Sequence, residues 1–330
     1  MTPSAAVPVA VVTGFLGSGK TTLISRVLRD PAFARTAVIV NEFGEIGLDH
    51  QLIESSDETL IALTTGCLCC AVRSDLVATL LDLRHRREAG DIAYERVLIE
   101  TSGLADPAPI LHALMTDRDI TQNHVIDGIV TVVDALHGEA TLDRHKEARR
   151  QAALADRLLL SKTDIAAPTT VLRERLAALN PGAPQHTAGD IAPGDLFVGT
   201  DVATRFTALP EQPARNPFSR AQHSDGIETA ALQRDRPIPA LALTLLLEAL
   251  AEHCGARLLR VKGLVDIEEM PGRPAVIHGV QHVFAPPEFL DHWPSGDHTT
   301  RVVFITQGVP RHFPARLLDS IEHEVREELG

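Results

Sequence analysis

The chain has 330 residues, enough for two domains and a substantial buried core. Its 31 basic and 44 acidic side chains leave a formal charge of −13, which argues against nucleic acid or an anionic membrane as the main partner. No apolar run approaches the roughly 20 residues of a membrane span, and residues 1–6 lack the charged and apolar regions of a signal peptide, so a cytoplasmic protein is expected.

The first expected element is a Val- and Ala-rich strand over residues 7–13. It leads into Gly14-Phe15-Leu16-Gly17-Ser18-Gly19-Lys20-Thr21 and a helix whose apolar stripe is Leu23, Ile24, Val27 and Leu28. A strand, a Gly-x-x-x-x-Gly-Lys-Thr run and a helix in that order form a phosphate-binding loop. Gly14, Gly17 and Gly19 let the backbone around Ser18 curl so that several amide N–H groups point at one phosphate, at the positive end of the helix. Lys20 would neutralise the β- and γ-phosphates, and the Thr21 hydroxyl, with Thr22 beside it, would ligate Mg²⁺. A nucleoside triphosphate is the expected ligand.

A second strand is expected at 37–40, then a loop at 41–57, then a strand at 60–63 entering Gly66-Cys67-Leu68-Cys69-Cys70. The next helix starts from an N-cap at Ser74 or Asp75, with Leu76, Leu80 and Leu83 on one face. Strands at 96–99, 128–133 and 157–160 then alternate with helices at 107–114, 147–155 and 169–179. Such alternation means a mostly parallel sheet with helices on both faces, an α/β P-loop NTPase, whose ligands sit at the C-terminal ends of the strands. Pro and Gly punctuate residues 190–222. Beyond them come a strand at 227–232, a helix at 240–254, strands at 257–267, 275–284 and 301–306, and a closing helix at 314–329, the order of a small α+β domain. The expected organisation is a nucleotide-binding domain over 1–189, a linker over 190–225 and a C-terminal domain over 226–330.

Three further motifs fall at strand ends. In Arg96-Val97-Leu98-Ile99-Glu100-Thr101-Ser102-Gly103, Glu100 can hold Mg²⁺ directly or through water, and the Gly103 amide can sense the γ-phosphate. In Ser161-Lys162-Thr163-Asp164, the Asp164 carboxylate can accept both adjacent donors of guanine, which adenine cannot offer, while the Lys162 stem covers one face of the base. Many GTPases carry Asn where this chain has Ser161. Cys67, Cys69 and Cys70 are three of the four cysteines, a spacing that suits a soft-metal site, a redox centre or a small buried cluster rather than a disulfide framework. The fourth, Cys254, is remote, so an open, exchangeable site is expected. Glu42 and Glu45, in Asn41-Glu42-Phe43-Gly44-Glu45, are candidate additional ligands or solvated loop acids. His278 and His282 would share one face of an expected strand, where a second metal site is an alternative to ordinary packed or exposed histidines.

Residues 13–22, 41–45, 66–70, 100–107 and 161–164, with Leu258-Leu259-Arg260-Val261-Lys262-Gly263 and His278-Gly279-Val280-Gln281, resemble the CobW/YjiA family of metal-handling GTPases, part of the wider group that includes the urease and hydrogenase nickel-insertion GTPases. The resemblance implies GTP hydrolysis, Zn²⁺ or a related ion such as Co²⁺ or Ni²⁺ at the cysteines, a role in metal insertion or homeostasis, and a C-terminal domain that helps recognise a client metalloprotein. Two departures stand out. The His-rich run of some members is missing, as is a client-docking extension like that of the eukaryotic zinc transferases.

The expected mechanism is a GTP-gated metallochaperone in which GTP·Mg²⁺ orders the 41–45 and cysteine loops and hydrolysis releases the ion. No residue stands out as a catalytic base or arginine finger, so beyond Lys20, Glu100 and Gly103 the chemistry should be slow without metal or client. A P-loop kinase of a small molecule, or a metal-sensing regulator using GTP as a conformational ligand, are the alternatives. Neither the client nor the oligomeric state follows from the sequence.

Overall fold

The computed structural model describes residues 6–41, 60–63, 69–166, 168–197, 226–294 and 296–329. The chain divides into two compact units, residues 1–172 with 185–200, and residues 173–184 with 201–330.

In chain order the first unit runs β1 (Val7–Thr13), α1 (Lys20–Leu28), β2 (Thr36–Asn41), β3 (Leu60–Leu63), α2 (Cys69–Ala89), β4 (Arg96–Thr101), α3 (Ala108–Thr116), α4 (Arg118–Thr121), β5 (His124–Asp134), α5 (Gly138–Arg144), α6 (Lys146–Leu154) and β6 (Arg157–Ser161). After α7 (Thr170–Leu179) it resumes with β7 (Gln185–Thr187) and α8 (Pro193–Leu196). Among the described residues the seven strands form one parallel sheet in the order β3-β2-β4-β1-β5-β6-β7. The order reverses around β1, and such a reversal opens a crevice beyond the strand ends. Both faces are covered: Val9 and Val11 of β1 are fully buried on one side, and Ala10 and Val12 are buried on the other. Ala10 and Val12 pack with Leu23, Ile24 and Val27 of α1, which explains why a nine-residue helix with little intrinsic stability holds. Ile191, Leu196 and Phe197, within the Pro- and Gly-punctuated stretch, join that same core.

The second unit holds β8 (Ile227–Arg234), α9 (Ala240–Cys254), β9 (Leu258–Val265), β10 (Ala275–Val280), β11 (Val283–Phe284), β12 (Glu288–Phe289), β13 (Thr300–Gln307) and α10 (Phe313–Leu329). Its sheet is antiparallel, ordered β11-β10-β9-β13-β8 with β12 on β10. Leu243, Leu246 and Leu250 of α9 and Leu318 and Val325 of α10 share one core with Val261, Val265, Val302 and Phe304.

Three expectations change. The helix expected from Ser74 or Asp75 begins at Cys69. Residues 69–73 contain neither Gly nor Pro, so nothing halts the helix at the capping residues and its backbone continues through Cys69 and Cys70. The single strand expected over 275–284 is a hairpin: β10 ends at Val280, Gln281 turns with φ 53°, and β11 starts at Val283. His278 and His282 therefore do not lie on one strand, and no cluster of three or more His, Cys, Asp or Glu side chains suited to a metal occurs among the described residues. The helices α4 and α5 and the strand β7 were not anticipated; each has seven residues or fewer, too short for a periodic pattern. No helix among the described residues is long and apolar enough to cross a membrane.

Gly263, in the middle of β9, lies so close to β13 that a Cβ there would stand 2.5 Å from the Arg301 carbonyl oxygen and 2.7 Å from Val302 Cα. Backbone cannot yield there without disturbing the sheet. Gly263→Ala should therefore destabilise the second unit by about 1–3 kcal/mol in a denaturant titration, the usual cost of overpacking; an unchanged midpoint would show that β9 and β13 separate freely.

Candidate nucleotide and metal site

The phosphate loop leaves β1 after Thr13. Gly14 has φ 141°, and a Cβ on it would come 2.2 Å from the Val132 carbonyl oxygen of β5, so only glycine serves. Gly17 and Gly19 also have positive φ. Gly19 ends the loop without a side-chain cap on α1, and the helix has no acidic residue in its first turn. The first-turn amides are thus available to an anion, which is the fit a phosphate requires. Lys20 is buried, and its ammonium donates to the Gly14 carbonyl at 3.0 Å and the Phe15 carbonyl at 3.3 Å, inside the curl of the loop. The buried Ser18 hydroxyl oxygen has no hydrogen-bond partner among the described residues. Thr22 is exposed in the first turn of α1.

The Thr21 hydroxyl donates to Glu100 Oε1 at 2.8 Å, and Glu100 is 2 % exposed. This pair brings two hard oxygen donors from α1 and β4 beside the loop, the donor set that Mg²⁺ prefers. One strand register further on, Thr101 donates to the Thr13 hydroxyl at 2.7 Å. The chain then turns at Gly103 against the phosphate loop itself: a Cβ at 103 would lie 2.7 Å from the Leu16 nitrogen and 2.8 Å from its Cα. Any displacement of one loop is felt by the other.

A residue outside every sequence motif holds this second loop. Gln151 of α6 is fully buried, and its side-chain amide donates to the carbonyls of Gly103 at 3.2 Å and Ala105 at 3.0 Å. Its neighbour Arg150 forms an ion pair with Asp106 at 2.8 Å. Just before α6, His145 stacks on Phe15 of the phosphate loop with ring centroids 4.4 Å apart. One short helix therefore contacts both loops.

On the other side of β1, β6 delivers Ser161. Its hydroxyl donates to the Ser18 carbonyl at 2.6 Å, so it ties residues 161–164 to the phosphate loop without an amide side chain. Lys162 adopts φ 55°, and its ammonium donates to the Gly17 carbonyl at 2.9 Å and pairs with Asp134 at 2.7 Å. Burial pushes the Asp134 carboxyl up, but the Lys162 hydrogen bond, the Leu136 and His137 amides and the Lys162 charge outweigh it and hold it below the usual carboxylate range. Asp164, two residues on, is exposed.

The structure thus brings Gly14, Gly17, Ser18, Gly19, Lys20, Thr21, Glu100, Gly103, Ser161 and Lys162 around one strand edge. For the metal ligands it is narrower: Glu42, Glu45 and Cys67 lie outside the described residues, and of Cys69 and Cys70 only the helical backbone is described.

If the Gly103–Leu16 approach sets the loop position, Gly103→Ala should lower GTP turnover by about tenfold or more, an effect of about 1.4 kcal/mol or above. GDP affinity should move far less, since the β-phosphate is held by the loop's own amides. Single-turnover kinetics beside fluorescent-GDP titration separate the two; equal loss in both would assign Gly103 to folding alone.

Residues 8–187 match the family model described as CobW/HypB/UreG, nucleotide-binding domain, and residues 227–322 match that described as cobalamin synthesis protein cobW C-terminal domain. The zinc chaperone YjiA of Escherichia coli is 35% identical over 281 residues, 84% of this chain and 87% of that protein. The zinc chaperone CobW of Pseudomonas aeruginosa is 31% identical over 343 residues, 92% and 88% of the two chains. In three dimensions the chain resembles the crystal structure of Zn(II)-bound YjiA GTPase from E. coli with a TM-score of 0.76 and 28% identity, covering 96% of this chain and 99% of that one. With both of its domains matched in order and a full-length structural counterpart, this chain belongs to the CobW/HypB/UreG family of P-loop proteins, in its CobW branch.

Proposed function

We propose that this chain is a GTP-hydrolysing metallochaperone. It carries Zn²⁺, or the chemically similar Co²⁺ or Ni²⁺, on Cys67, Cys69 and Cys70, with Glu42 and Glu45 as further ligands, and passes the ion to a client metalloprotein in the cytoplasm. The domains are those of a GTPase unit over 1–189, a connection over 190–225 and a client-recognising unit over 226–330. The observation that carries this reading is the Thr21–Glu100 contact, set in a family whose named relatives include zinc chaperones. It joins the phosphate loop to β4, next to the strand pair β2 and β3 from which the 41–45 and cysteine segments depart.

Lys20 and the α1 amides hold the phosphates, and Ser161 and Lys162 fix the base segment against the loop. Asp164 accepts the paired N–H donors of guanine. Thr21 and Glu100 would hold Mg²⁺, which supplies positive charge against the phosphate oxygens as the bond to the γ-phosphate breaks. Gly103 and Gln151 keep the sensing loop against Leu16. Three thiolates suit zinc and leave a coordination position for exchange. They bind only when deprotonated, so affinity falls toward acid pH.

Three measurements test the reading. Cys69→Ala should weaken Zn²⁺ binding at least about tenfold in a competition with a fluorescent chelator, while metal-free GTP turnover stays as in the unaltered protein; unchanged zinc affinity would move the cargo site elsewhere. Asp164→Asn should cost about 100-fold of the preference for GTP over ATP in nucleotide competition. Retained preference would mean another group reads the base. Phosphate release from GTP in the same preparation also distinguishes a chaperone from a sensor that binds GTP without turnover.

A further inference from the structure

The parallel sheet has a second polar cavity, of about 230 Å³, at the edge opposite the phosphate loop. Val7, which opens β1, and its paired neighbour His124, which opens β5, form its floor. The seven residues of β1 put it about 20 Å from Gly14. The last turns of α2 supply Arg84, Arg87 and Glu88, and Tyr94 and Asn123 complete the wall.

His124 is 6 % exposed, and neither ring nitrogen makes a hydrogen bond of normal geometry, although the Ile120 carbonyl lies near enough to favour the charged ring. Burial is the larger influence, and with the charges of Arg84 and Arg87 it keeps the imidazole pKa below its usual value. The ring is thus neutral, with a single N–H to give, and no hydrogen bond of normal geometry uses it. Around it stand two guanidiniums. Arg84 uses its Nε on Glu88 at 2.7 Å, and Arg87 lies over the Tyr94 ring at 5.2 Å from the centroid. No other ion pair or side-chain hydrogen bond of either arginine occurs among the described residues. Asn123 turns its amide nitrogen to the Asp119 carbonyl at 3.0 Å. With Glu88 counted, the lining carries two fixed positive charges against one negative.

A buried polar side chain left without partners is rare, and it commonly marks a group waiting for a ligand or water. Water would satisfy the imidazole but would leave the net positive charge of the lining without a counter-ion. An oxyanion does both: it accepts from the imidazole N–H and from guanidinium N–H donors whose planar fork matches carboxylate and phosphate oxygens.

We propose that this cavity binds a small oxyanion, a phosphate or a carboxylate group, held by Arg84, Arg87 and His124. The site is separate from the nucleotide site and does not depend on the metallochaperone reading. Glu88 opposes the anion and sets a modest affinity. The Arg84–Glu88 pair fixes the orientation of the first guanidinium and the Tyr94 ring that of the second.

The test uses the full chain saturated with GDP and Mg²⁺, so that the phosphate loop is filled, with histidine-labelled NMR as the local readout. Inorganic phosphate and, in a separate arm, acetate are titrated while the His124 ring resonances are followed. The expected result is a saturable shift with a Kd of about 1 mM or tighter, weakened about tenfold in Arg87→Gln and partly restored in Arg87→Lys, which keeps the charge without the fork. A response to phosphate alone assigns a phosphate ligand, and a response to acetate alone or to both assigns carboxylate or general oxyanion recognition. No shift with either anion, or an undiminished shift in Arg87→Gln, overturns the proposal. Arg84→Gln provides a second variant if Arg87→Gln does not fold, because the guanidinium over the Tyr94 ring is that of Arg87 and the partner of Arg84, Glu88, is solvent-exposed.

Discussion

The Thr21–Glu100 hydrogen bond, 2.8 Å long and part-buried, joins the helix that follows the phosphate loop to the strand that precedes the Gly103 loop. The rest of the first unit is arranged around this contact. With Glu100 fixed on β4, Thr101 reaches Thr13 and the chain can turn only where Gly103 meets Leu16 without a side chain. Gln151 and Arg150 then hold the far side of that turn from α6. On the opposite flank, Ser161 and Lys162 fasten the base segment to Ser18 and Gly17 of the same phosphate loop. Because interiors are close-packed, loops in such contact change position together rather than by graded bending. This is the physical basis for the nucleotide-dependent switch in the proposed function.

The nucleotide half of the site is legible in the sequence because its chemistry is local. Lys20, Thr21, Glu100, Gly103 and Ser161 each stand at or beyond the C-terminal end of a strand within a short motif, and each motif states its own spacing. Gln151 carries no such mark. It sits 48 residues from the carbonyl it holds, in an Ala-rich helix where a lone Gln reads as a surface residue, and only the tertiary fold reveals its role. Asp134 is similar: a strand ending in an acid looks solvated until Lys162 turns back to it. The start of α2 was misplaced because Ser74 and Asp75 are good capping residues, and capping preference cannot stop a helix whose preceding residues are themselves compatible with it. The break between β10 and β11 was hidden because Val280 on one side and Val283 and Phe284 on the other favour strands, and a sequence pattern does not flag the left-handed Gln281 between them.

Helix α2 connects the two ends of the first unit. It starts at Cys69 and ends at Ala89, 21 residues or about 30 Å on. Its first turn belongs to the proposed cargo loop, and its last turns carry the arginines of the oxyanion cavity. The nucleotide loops lie at the same sheet edge as the departure of the cysteine segment, three strand spacings from β1 to β3, or about 14 Å. In the proposed function, metal and nucleotide would therefore be close enough to share a loop network yet chemically separate, one served by soft thiolates and the other by hard oxygens and amides.

Coupling between two such sites is reciprocal: if the triphosphate orders the cysteine loop, zinc must in turn favour the triphosphate state. The most direct measurement is the Zn²⁺ dissociation constant of the full chain in two states, bound to GDP and bound to a non-hydrolysable GTP analogue, each with Mg²⁺ and at fixed pH. A gated metallochaperone predicts tighter zinc binding with the analogue by about tenfold or more, equivalent to about 1.4 kcal/mol of coupling. Equal dissociation constants in the two states would contradict it.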